Sequence, residues 1–181
     1  GEILRVLVTG GAGFIGHNLV KALISNQHQV NILDITSSKN SRVKALIGMG
    51  ASYYQGDIRD SSAITRAGQD CTHIVHLAAQ TSVPASVENP TLNDEINIIG
   101  TRNIIDFINS HDIKKIVSAS SAAVYGNCDQ IPLAEESAGE CLSPYAESKF
   151  QNEADLFNLV NENTGVHVLR FFNVYGPGQG T

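Results

Sequence analysis

A tyrosine and a lysine stand four positions apart in the stretch SPYAESKF, residues 143–150. If this stretch is helical, Tyr145 and Lys149 lie on the same face, one turn apart. A phenol beside an ammonium could exchange a proton with a bound hydroxyl, because a neighbouring cation favours the ionised phenol. The same spacing is common on solvated helix faces, so the rest of the chain must decide between a reactive pair and a surface pair.

A glycine-rich turn, TGGAGFIG at residues 9–16, follows an apolar run and precedes a segment with helical periodicity. Gly11, Gly13 and Gly16 fit the pattern G-x-G-x-x-G, and Gly10, Gly13 and Gly16 fit G-x-x-G-x-x-G. Glycine permits a tight turn and the close approach of a pyrophosphate, which the free N–H groups at a helix N-terminus attract. The turn therefore predicts a dinucleotide site, the alternative being a glycine turn needed only for packing.

A carboxylate at the end of the second predicted strand indicates which dinucleotide would bind. Asp34 follows Gly16 by 18 residues. There it could accept hydrogen bonds from both hydroxyls of the adenosine ribose, and it would repel a 2′-phosphate. The sequence thus favours NAD over NADP.

Residues after the third and fourth predicted strands extend this cofactor site. Asp57 and Ile58 are placed to meet the adenine, although Asp57 fits equally well as a helix N-cap or turn residue. The stretch HLAAQ at residues 76–80 ends in small residues that let a cofactor lie close to the backbone. We interpret His76 as a buried core histidine.

These residues need a scaffold that brings strand ends together. Short apolar runs predict strands at 3–10, 29–34, 51–57, 72–79, 114–120 and 165–174. Helical periodicity predicts helices at 14–26, 41–48, 62–68, 91–110 and 144–163. The alternation predicts an α/β fold, a doubly wound parallel sheet with helices on both faces. Ligands of such sheets bind at the carboxyl ends of the strands, where the strand order reverses.

The composition narrows the class of partner. The 181 residues suit one domain, and a net charge of −6 without a lysine or arginine run argues against nucleic acid or an anionic membrane. Cys71, Cys128 and Cys141 form no C-x-x-C pair, so we expect no metal site and reduced thiols in a cytoplasmic protein. No apolar run reaches membrane-spanning length, and the N-terminal residues do not have a signal-peptide pattern.

Taken together, the motifs resemble those of the extended short-chain dehydrogenase/reductases that act on nucleotide sugars, and most of all the UDP-glucose 4-epimerase branch. The matching stretches follow the family's order: GGAGFIG (10–16), Asp34, GDIRD (56–60), HLAAQTSVPASVENP (76–90), NIIGTRNI (97–104), SSAAVYG (120–126), SPYAESK (143–149) and RFFNVYGPGQ (170–179). The resemblance implies a Rossmann-type fold, NAD as the cofactor and a nucleotide sugar as the substrate.

The resemblance also implies roles for the opening pair. Tyr145 would act as acid and base on the sugar hydroxyl, Lys149 would hold the nicotinamide ribose, and Ser121 would bind the reacting oxygen. In 4-epimerisation, Tyr145 takes the proton of the C4 hydroxyl while hydride moves to NAD+, and both return after the ketosugar has turned over. The implied substrate is a UDP-hexose of the UDP-glucose and UDP-galactose type.

Further positions carry over by match with the same family. The implied cofactor contacts are Gly10, Gly13, Phe14, Ile15, Gly16, Asp34, Asp57, Ile58, Leu77, Ala78, Ala79, Asn97, Tyr145, Lys149 and Phe171. The implied substrate contacts are Ser82, Ser121 and Asn173. Asn97 could instead be an ordinary polar helix residue, Phe171 a core residue and Asn173 a strand-end cap.

Two alanines after the implied hydroxyl separate the reactions of the family. Dehydratase and decarboxylase relatives have acidic residues before the VYG motif, whereas this chain has Ala122 and Ala123. A 4,6-dehydratase must move two further protons, which alanine cannot do, so the sequence favours epimerisation. The alternatives are a related reductase, decarboxylase or dehydratase, and a non-catalytic NAD-binding protein.

Helices 91–110 and 144–163 have apolar residues on more than one side. In relatives the corresponding helices pair across a dimer, so we expect a homodimer unless one subunit covers both sides. Members of the family also continue into a lobe that grips the nucleotide sugar. We therefore expect residues 1–181 to form the NAD-binding domain, with that lobe mostly absent, and turnover to require the lobe.

Overall fold

A computed structural model describes residues 1–129, 131–159 and 161–180 of the chain. Its centre is a six-stranded sheet in the order β3-β2-β1-β4-β5-β6, with every pair of neighbours parallel. The strands are β1 (Arg5–Thr9), β2 (Gln29–Asp34), β3 (Ser52–Gln55), β4 (His73–His76), β5 (Lys115–Ser121) and β6 (Gly165–Phe171). The predicted doubly wound parallel sheet is confirmed, and its strand order reverses between β1 and β4.

Seven α-helices occur in the described part of the chain. They are α1 (Phe14–Ser25), α2 (Ser41–Gly48), α3 (Ser61–Ala67), α4 (Val83–Glu88), α5 (Pro90–Asp94), α6 (Gly100–Ser110) and α7 (Pro144–Phe157). A π-helical turn (Glu95–Ile99) joins α5 to α6, and 3-10 turns occupy Ala122–Tyr125 and Glu135–Ser137. No helix among the described residues is both long and apolar enough to cross a membrane.

Successive residues of the central strands enter two separate cores, one on each face of the sheet. In β1, Leu7 belongs to a core shared with residues of α3, α6 and α7. Val6 and Val8 belong to a second core shared with residues of α1 and α2. This is the period-two alternation of a strand that is buried on both faces. It explains why the central strands are continuous apolar runs in the sequence.

Helix α7 begins at a well-defined place. The Ser143 side chain caps it by accepting a hydrogen bond from the N–H of Ala146. Pro144 occupies the first position, where its missing N–H loses no helical hydrogen bond. The start of the helix therefore sets where Tyr145 and Lys149 lie along β5.

The long helix predicted at 91–110 is interrupted by the π-helical turn. Asn97 lies on that turn and is fully buried. Gly100, the first residue of α6, follows this turn. It packs so closely on Ile58 that an added Cβ would lie 2.5 Å from Ile58 Cδ1. Single π turns of this kind are frequent at functional sites. The preceding six-residue helix α4 was not predicted from the sequence.

Helix α7 ends at Phe157 rather than at residue 163, and Val160 of the predicted helix lies outside the described residues. The asparagine-rich segment that follows bonds to α6 instead of continuing the helix. Asn161 Nδ2 donates to Ile108 O, and Asn161 N donates to Asn109 Oδ1. These tertiary bonds compete with helical ones, as asparagine side chains commonly do.

Candidate active site

A cavity of about 960 Å³ lies at the carboxyl ends of the strands. Ligand pockets are commonly about 300–1,000 Å³, so this one is large enough for a dinucleotide. The structure brings together most of the predicted residues, since the cavity is lined by Gly10, Gly13, Phe14, Ile15, Gly16, Asp34, Asp57, Ile58, Leu77, Ala78, Ala79, Ser121, Tyr145, Lys149 and Phe171.

Three predicted site residues do not line the cavity: Ser82, Asn97 and Asn173. Ser82 is exposed and caps α4, where its Oγ accepts a hydrogen bond from Ala85 N at 3.3 Å. Asn173 is exposed beyond the end of β6. Neither side chain lines the cavity, although Thr81 beside Ser82 and both neighbours of Asn173 do.

Other residues line the cavity without having been predicted. They are Leu33, Ile35, Thr36, Gly56, Arg59, Gln80, Thr81, Ile96, Ala119, Ser120, Phe172, Val174 and Gln179. Most of them flank a predicted residue at a strand end, so strand-end position was the available signal. Ile96 lies on the π turn, for which the sequence contains no recognisable pattern.

The glycine-rich turn forms a cradle that side chains would fill. Gly10 has φ +71°, and a Cβ there would lie 2.7 Å from Ala78 N. A Cβ on Gly16 would lie 2.2 Å from Gly10 O. Helix α1 begins after Gly13 without a side-chain cap, so its first N–H groups have no capping partner. The pyrophosphate of a dinucleotide fits this cradle, because the backbone can approach it and the helix end is positive.

Asp34, at the end of β2, already accepts three hydrogen bonds. Its Oδ2 accepts from Ala12 N at 2.9 Å. Its Oδ1 accepts from Thr36 N at 2.9 Å and from Thr36 Oγ1 at 2.8 Å. A carboxylate has about four acceptor positions, so about one remains for a ligand hydroxyl. The side chain therefore braces the glycine-rich turn while it presents a negative charge to the cavity.

Asp57, after β3, is held by a neighbour on its own loop. Arg59 N donates to Asp57 Oδ1 at 2.8 Å, and the Arg59 guanidinium pairs with Oδ2 at 2.8 Å. These bonds from Arg59 lower the pKa of the Asp57 carboxyl. Arg59 also pairs with Glu95 at 3.3 Å. At the β3 end of the cavity, the Asp57 carboxylate is thus ionised, partly exposed and able to accept hydrogen bonds.

Ser121, Tyr145 and Lys149 lie on the other side of the cavity. Ser121 ends β5, and its Oγ accepts a hydrogen bond from Ala123 N at 3.1 Å. Tyr145 and Lys149 share one face of α7 and are 9% and 7% exposed, so they are not a solvated surface pair. Lys149 Nζ donates to Ala119 O at 3.1 Å. Burial lowers the pKa of Lys149 to about 8, which leaves an ammonium at neutral pH.

His76 is a buried core histidine, as the sequence suggested. Its Nδ1 lies 2.6 Å from Thr9 Oγ1, and its Nε2 lies 3.0 Å from Thr101 Oγ1. Burial, together with the nearby Lys149 charge, lowers its pKa to about 3. The imidazole is therefore neutral and joins β1, β4 and α6 behind the cavity.

Asn97 holds the loop after β4 in place of lining the cavity. Its Oδ1 accepts from Gln80 N at 2.8 Å, and its Nδ2 donates to Gln80 O at 3.0 Å. Its Nδ2 also lies 3.1 Å from both Asn93 Oδ1 and Ser148 Oγ. Since Ser148 directly precedes Lys149 on α7, Asn97 ties the cavity wall at Gln80 to the helix that carries the reactive pair.

Acidic side chains are distributed unevenly around the cavity. Among the described residues that line it, the acids are Asp34 and Asp57, at the ends of β2 and β3. Ala122 and Ala123 occupy the 3-10 turn directly after Ser121. The Ser121 side of the described lining therefore provides a phenol and an ammonium but no carboxylic acid.

Comparisons with known proteins agree with this geometry. The model of the NAD dependent epimerase/dehydratase family matches residues 6–181. A putative UDP-glucose 4-epimerase of Methanocaldococcus jannaschii is 42% identical over 180 residues, which cover 96% of this chain and 57% of the relative. The crystal structure of the Thermus thermophilus UDP-glucose 4-epimerase in complex with NAD has a TM-score of 0.87 at 36% identity, covering 98% of this chain and 58% of that chain.

A different reaction occurs on the same fold. The structure of a NAD-dependent NDP-hexosamine 5,6-dehydratase of tunicamycin biosynthesis has a TM-score of 0.84 at 31% identity, covering 98% of this chain and 57% of that chain. The chain spans about half the length of the curated relatives it matches. Because the family model covers nearly all of the chain, this protein belongs to the NAD-dependent epimerase/dehydratase family.

Proposed function

We propose that residues 1–181 are the NAD-binding domain of a nucleotide-sugar 4-epimerase that acts on UDP-hexoses of the UDP-glucose and UDP-galactose type. The observation that carries the proposal is a single cavity that joins the glycine cradle to Ser121, Tyr145 and Lys149. The similarity to proteins named UDP-glucose 4-epimerase supports it.

The cavity offers a partner for each part of NAD. The glycine cradle at residues 10–16 would hold the pyrophosphate, and Asp34 the adenosine ribose. Asp57 and its neighbours would meet the adenine, while Lys149 and Phe171 would lie at the nicotinamide ribose. Bound NAD supplies a hydride acceptor beside the sugar. The protein's part is then to place C4 of the sugar and to manage one proton.

Tyr145 manages that proton in the proposed reaction. It takes the proton from the C4 hydroxyl and later returns it to the same oxygen, while Ser121 hydrogen-bonds that oxygen. The buried Lys149 ammonium lies one helical turn from Tyr145, and at 7% exposure its charge is poorly screened, so it can assist this proton transfer. A single proton-transfer group suffices for epimerisation. This requirement matches a Ser121 side without a carboxylic acid among the described lining residues.

A dehydratase of the same family is the second candidate, and the similarity to the 5,6-dehydratase favours it. Elimination needs further proton transfers, each typically worth about 10²- to 10⁴-fold from a positioned group. No carboxylic acid among the described residues lines the cavity beside Ser121, and the Glu153 carboxylate behind it is paired with Arg170, which is why we prefer epimerisation. A protein that only bound NAD would not need Ser121 and Tyr145 together at the cavity wall.

A homodimer and a cytoplasmic location are part of the proposal. The helices predicted at 91–110 and 144–163 leave Leu92, Ile99, Phe150 and Phe157 exposed in the described chain. Pairing of these helices between two copies would cover them. Light scattering of the native protein would test the dimer. The cysteines, all free, are consistent with a reducing compartment.

The decisive experiment supplies UDP-galactose and NAD to the native protein that contains this domain. We expect UDP-glucose, no net NADH and no 4-keto-6-deoxy sugar. Tyr145→Phe should abolish epimerisation while NAD affinity stays nearly unchanged, because the glycine cradle, Asp34 and Lys149 remain. Tyr54→Phe makes the same change on β3, away from the cavity lining, and should keep full activity.

Two results would contradict this mechanism. Near-normal turnover by Tyr145→Phe would remove the proposed acid and base. Accumulation of a 4-keto-6-deoxy product by the unmodified protein would favour the dehydratase instead.

Cofactor preference can be measured separately by calorimetry. NAD should bind more tightly than NADP, since the Asp34 carboxylate repels a 2′-phosphate. Asp34→Ala should narrow that gap. Asp60→Ala removes the same charge from the N-cap of α3, away from the cavity lining, and should leave the gap intact. Equal affinities of the unmodified protein for NAD and NADP would refute the role of Asp34.

A further inference from the structure

A buried ion pair lies one helical turn beyond Lys149. Glu153 follows Lys149 by one turn of α7, so the two side chains share a face. Glu153 is 6% exposed, and its carboxylate binds Arg170 of β6 in two places. Arg170 Nε donates to Oε1 at 3.0 Å, and Arg170 NH2 donates to Oε2 at 2.7 Å. Ser120 Oγ, from β5, donates to Oε1 as well.

Lys149 bonds elsewhere although a carboxylate is close. Side chains four residues apart on a helix have Cβ atoms about 5–6 Å from each other, and a lysine and a glutamate at this spacing commonly pair. Here Lys149 Nζ donates instead to Ala119 O at the end of β5. Burial, and not a charged neighbour, determines the direction in which its pKa is shifted. Arg170 occupies both oxygens of the Glu153 carboxylate, one helical turn along α7.

Arg170 is itself held in place by several contacts. Its NH1 donates to Tyr125 Oη at 3.0 Å and to Glu135 O at 2.6 Å. Its guanidinium carbon lies 4.9 Å from the centre of the Tyr125 ring. Its backbone pairs with Ser120 across the sheet. Because these contacts fix the Arg170 guanidinium, the Glu153 carboxylate that it binds is held on the side of α7 that faces β6.

Stability alone is a weak explanation for this pair. Replacing a buried ion pair by apolar residues of similar volume is often neutral or stabilising. Because the pair lies one turn from Lys149, we therefore consider a role for it in the candidate active site. That role depends on charge, since Arg170 neutralises the carboxylate that lies one turn beyond Lys149 on the same face of α7.

We propose that Arg170 and Glu153 are positioning residues for the Tyr145–Lys149 pair: Arg170 occupies the Glu153 carboxylate and so leaves the Lys149 ammonium on the Ala119 carbonyl beside the cavity. The catalytic consequence rests on the proposed function, in which Lys149 is the cation that assists Tyr145. The positioning itself needs neither cofactor nor substrate, and it is tested without them.

Among the described residues, the titratable and charged side chains that bear on Lys149 come from four elements, of which the 3-10 turn contributes Tyr125, bonded to Arg170. Helix α7 contributes Tyr145 and Glu153, β4 contributes the neutral His76, and β6 contributes Arg170. The carboxyl end of β5 contributes serine and alanine only. Removal of Arg170 would leave an uncompensated carboxylate beside Lys149, whereas removal of the Glu153 charge would leave an uncompensated guanidinium. The two changes must therefore shift the Lys149 titration in opposite directions.

The experiment follows the Lys149 titration by carbon-13 NMR of lysine-labelled protein. Lys149 is buried, which makes its signal distinct from those of the other lysines. The other lysines are all exposed: Lys21, Lys39, Lys44, Lys114 and Lys115. Arg170→Met should raise the midpoint by about one pH unit, and Glu153→Gln should lower it by a similar amount. The double variant should return it close to the unmodified value.

A matched control removes another ion pair of α7. Arg102 Nε binds Asp155 Oδ2 at 2.8 Å on the exposed side of the helix. Arg102→Met should leave the Lys149 midpoint unchanged. If Arg170→Met does not fold, the Lys149 midpoint of Glu153→Gln decides alone. A lower midpoint would support the proposal, and a higher or unchanged midpoint would overturn it.

A purely structural pair would behave differently. Loosening of α7 would expose Lys149 and raise its midpoint in both single variants, toward the value of a free lysine. The double variant would then be shifted at least as far. Either result would overturn the proposal. Absence of epimerase activity in the unmodified protein would refute the proposed function but would leave this titration result standing.

Discussion

The two halves of the cavity are built on different principles. The half at the ends of β1, β2 and β3 consists of glycine backbone and of two acids, Asp34 and Asp57. Asp34 accepts bonds from Ala12 and Thr36, and Asp57 accepts bonds from the partly exposed Arg59. The half at the ends of β4, β5 and β6 consists of buried polar side chains with distant partners. Asn97 and Ser148, for example, are 51 residues apart.

The difference shows what each half requires of the chain. The first half works because side chains are missing, so that a phosphate can approach the backbone. The second half works because an ammonium and several amides are buried, which disfavours folding unless each group has a partner. We expect substitutions in the first half to act through steric contact and those in the second half through charge and hydrogen bonds.

Gly16→Ala should produce the largest effect by filling the first half. The new Cβ would lie 2.2 Å from Gly10 O, and both groups belong to a tight backbone turn. We expect a loss of about 3 kcal/mol in the free energy of unfolding, together with loss of NAD binding. Urea denaturation and calorimetric NAD titration would measure both.

Gly48→Ala is the control for this substitution. Gly48 is an exposed residue of α2, and a Cβ there would meet no atom within 4 Å. We expect it to stabilise the protein by up to about 1 kcal/mol. Equal stabilities of the two variants would contradict the steric account of the first half.

Lys149→Met should stabilise the second half while it abolishes activity. The folded pKa of Lys149, about 8, lies below its ordinary value of 10.5, so the unfolded chain binds more protons between these pH values. Stability attributable to this group therefore rises with pH across that window, and the unfavourable burial of the ammonium is complete below pH 8. We expect a gain of about 2–3 kcal/mol at pH 7 that disappears near pH 10.5.

Denaturation at several pH values checks this prediction. The exposed Lys44→Met is its control and should show no such pH-dependent gain. A Lys149→Met protein that is less stable than the unmodified protein at pH 7 would show that Lys149 contributes favourable contacts outweighing its burial.

Asn97→Ala should destabilise the second half by about 2 kcal/mol. It would leave the N–H and C=O of Gln80 and the hydroxyl of Ser148 without their amide partner. Asn26→Ala, at the C-cap of α1, removes one exposed side-chain bond, to Ala22 O, and should change stability by no more than about 0.5 kcal/mol. Thermal unfolding would compare them, and equal melting temperatures would argue against the buried network.

Arg59→Ala should have the smallest effect, because the two ion pairs that it removes, with Asp57 and with Glu95, are partly exposed. The side chains of Arg59 and Asp57 are 39% and 33% exposed. We expect a change within about 0.5 kcal/mol that becomes smaller at high salt. A loss as large as that in Asn97→Ala would erase the distinction between the two halves.

Local patterns were sufficient to predict much of the fold and of the first half. The order of strands and helices, the glycine-rich turn and Asp34 follow from periodicity and from spacing over a few tens of residues. The Tyr145–Lys149 spacing also correctly placed the two residues on one helix face. Interactions within a short segment determine these features, so that the segment's own sequence contains the information.

Only the tertiary structure decided how the second half is supported. It showed that the Asn97 amide bonds to Gln80 and Ser148, and that Arg170 reaches Glu153 from another strand. It also showed that the Tyr145–Lys149 face is buried, which spacing alone left open. These features depend on burial and on partners 17 to 51 residues away, and neither can be read from the spacing of residues along one segment.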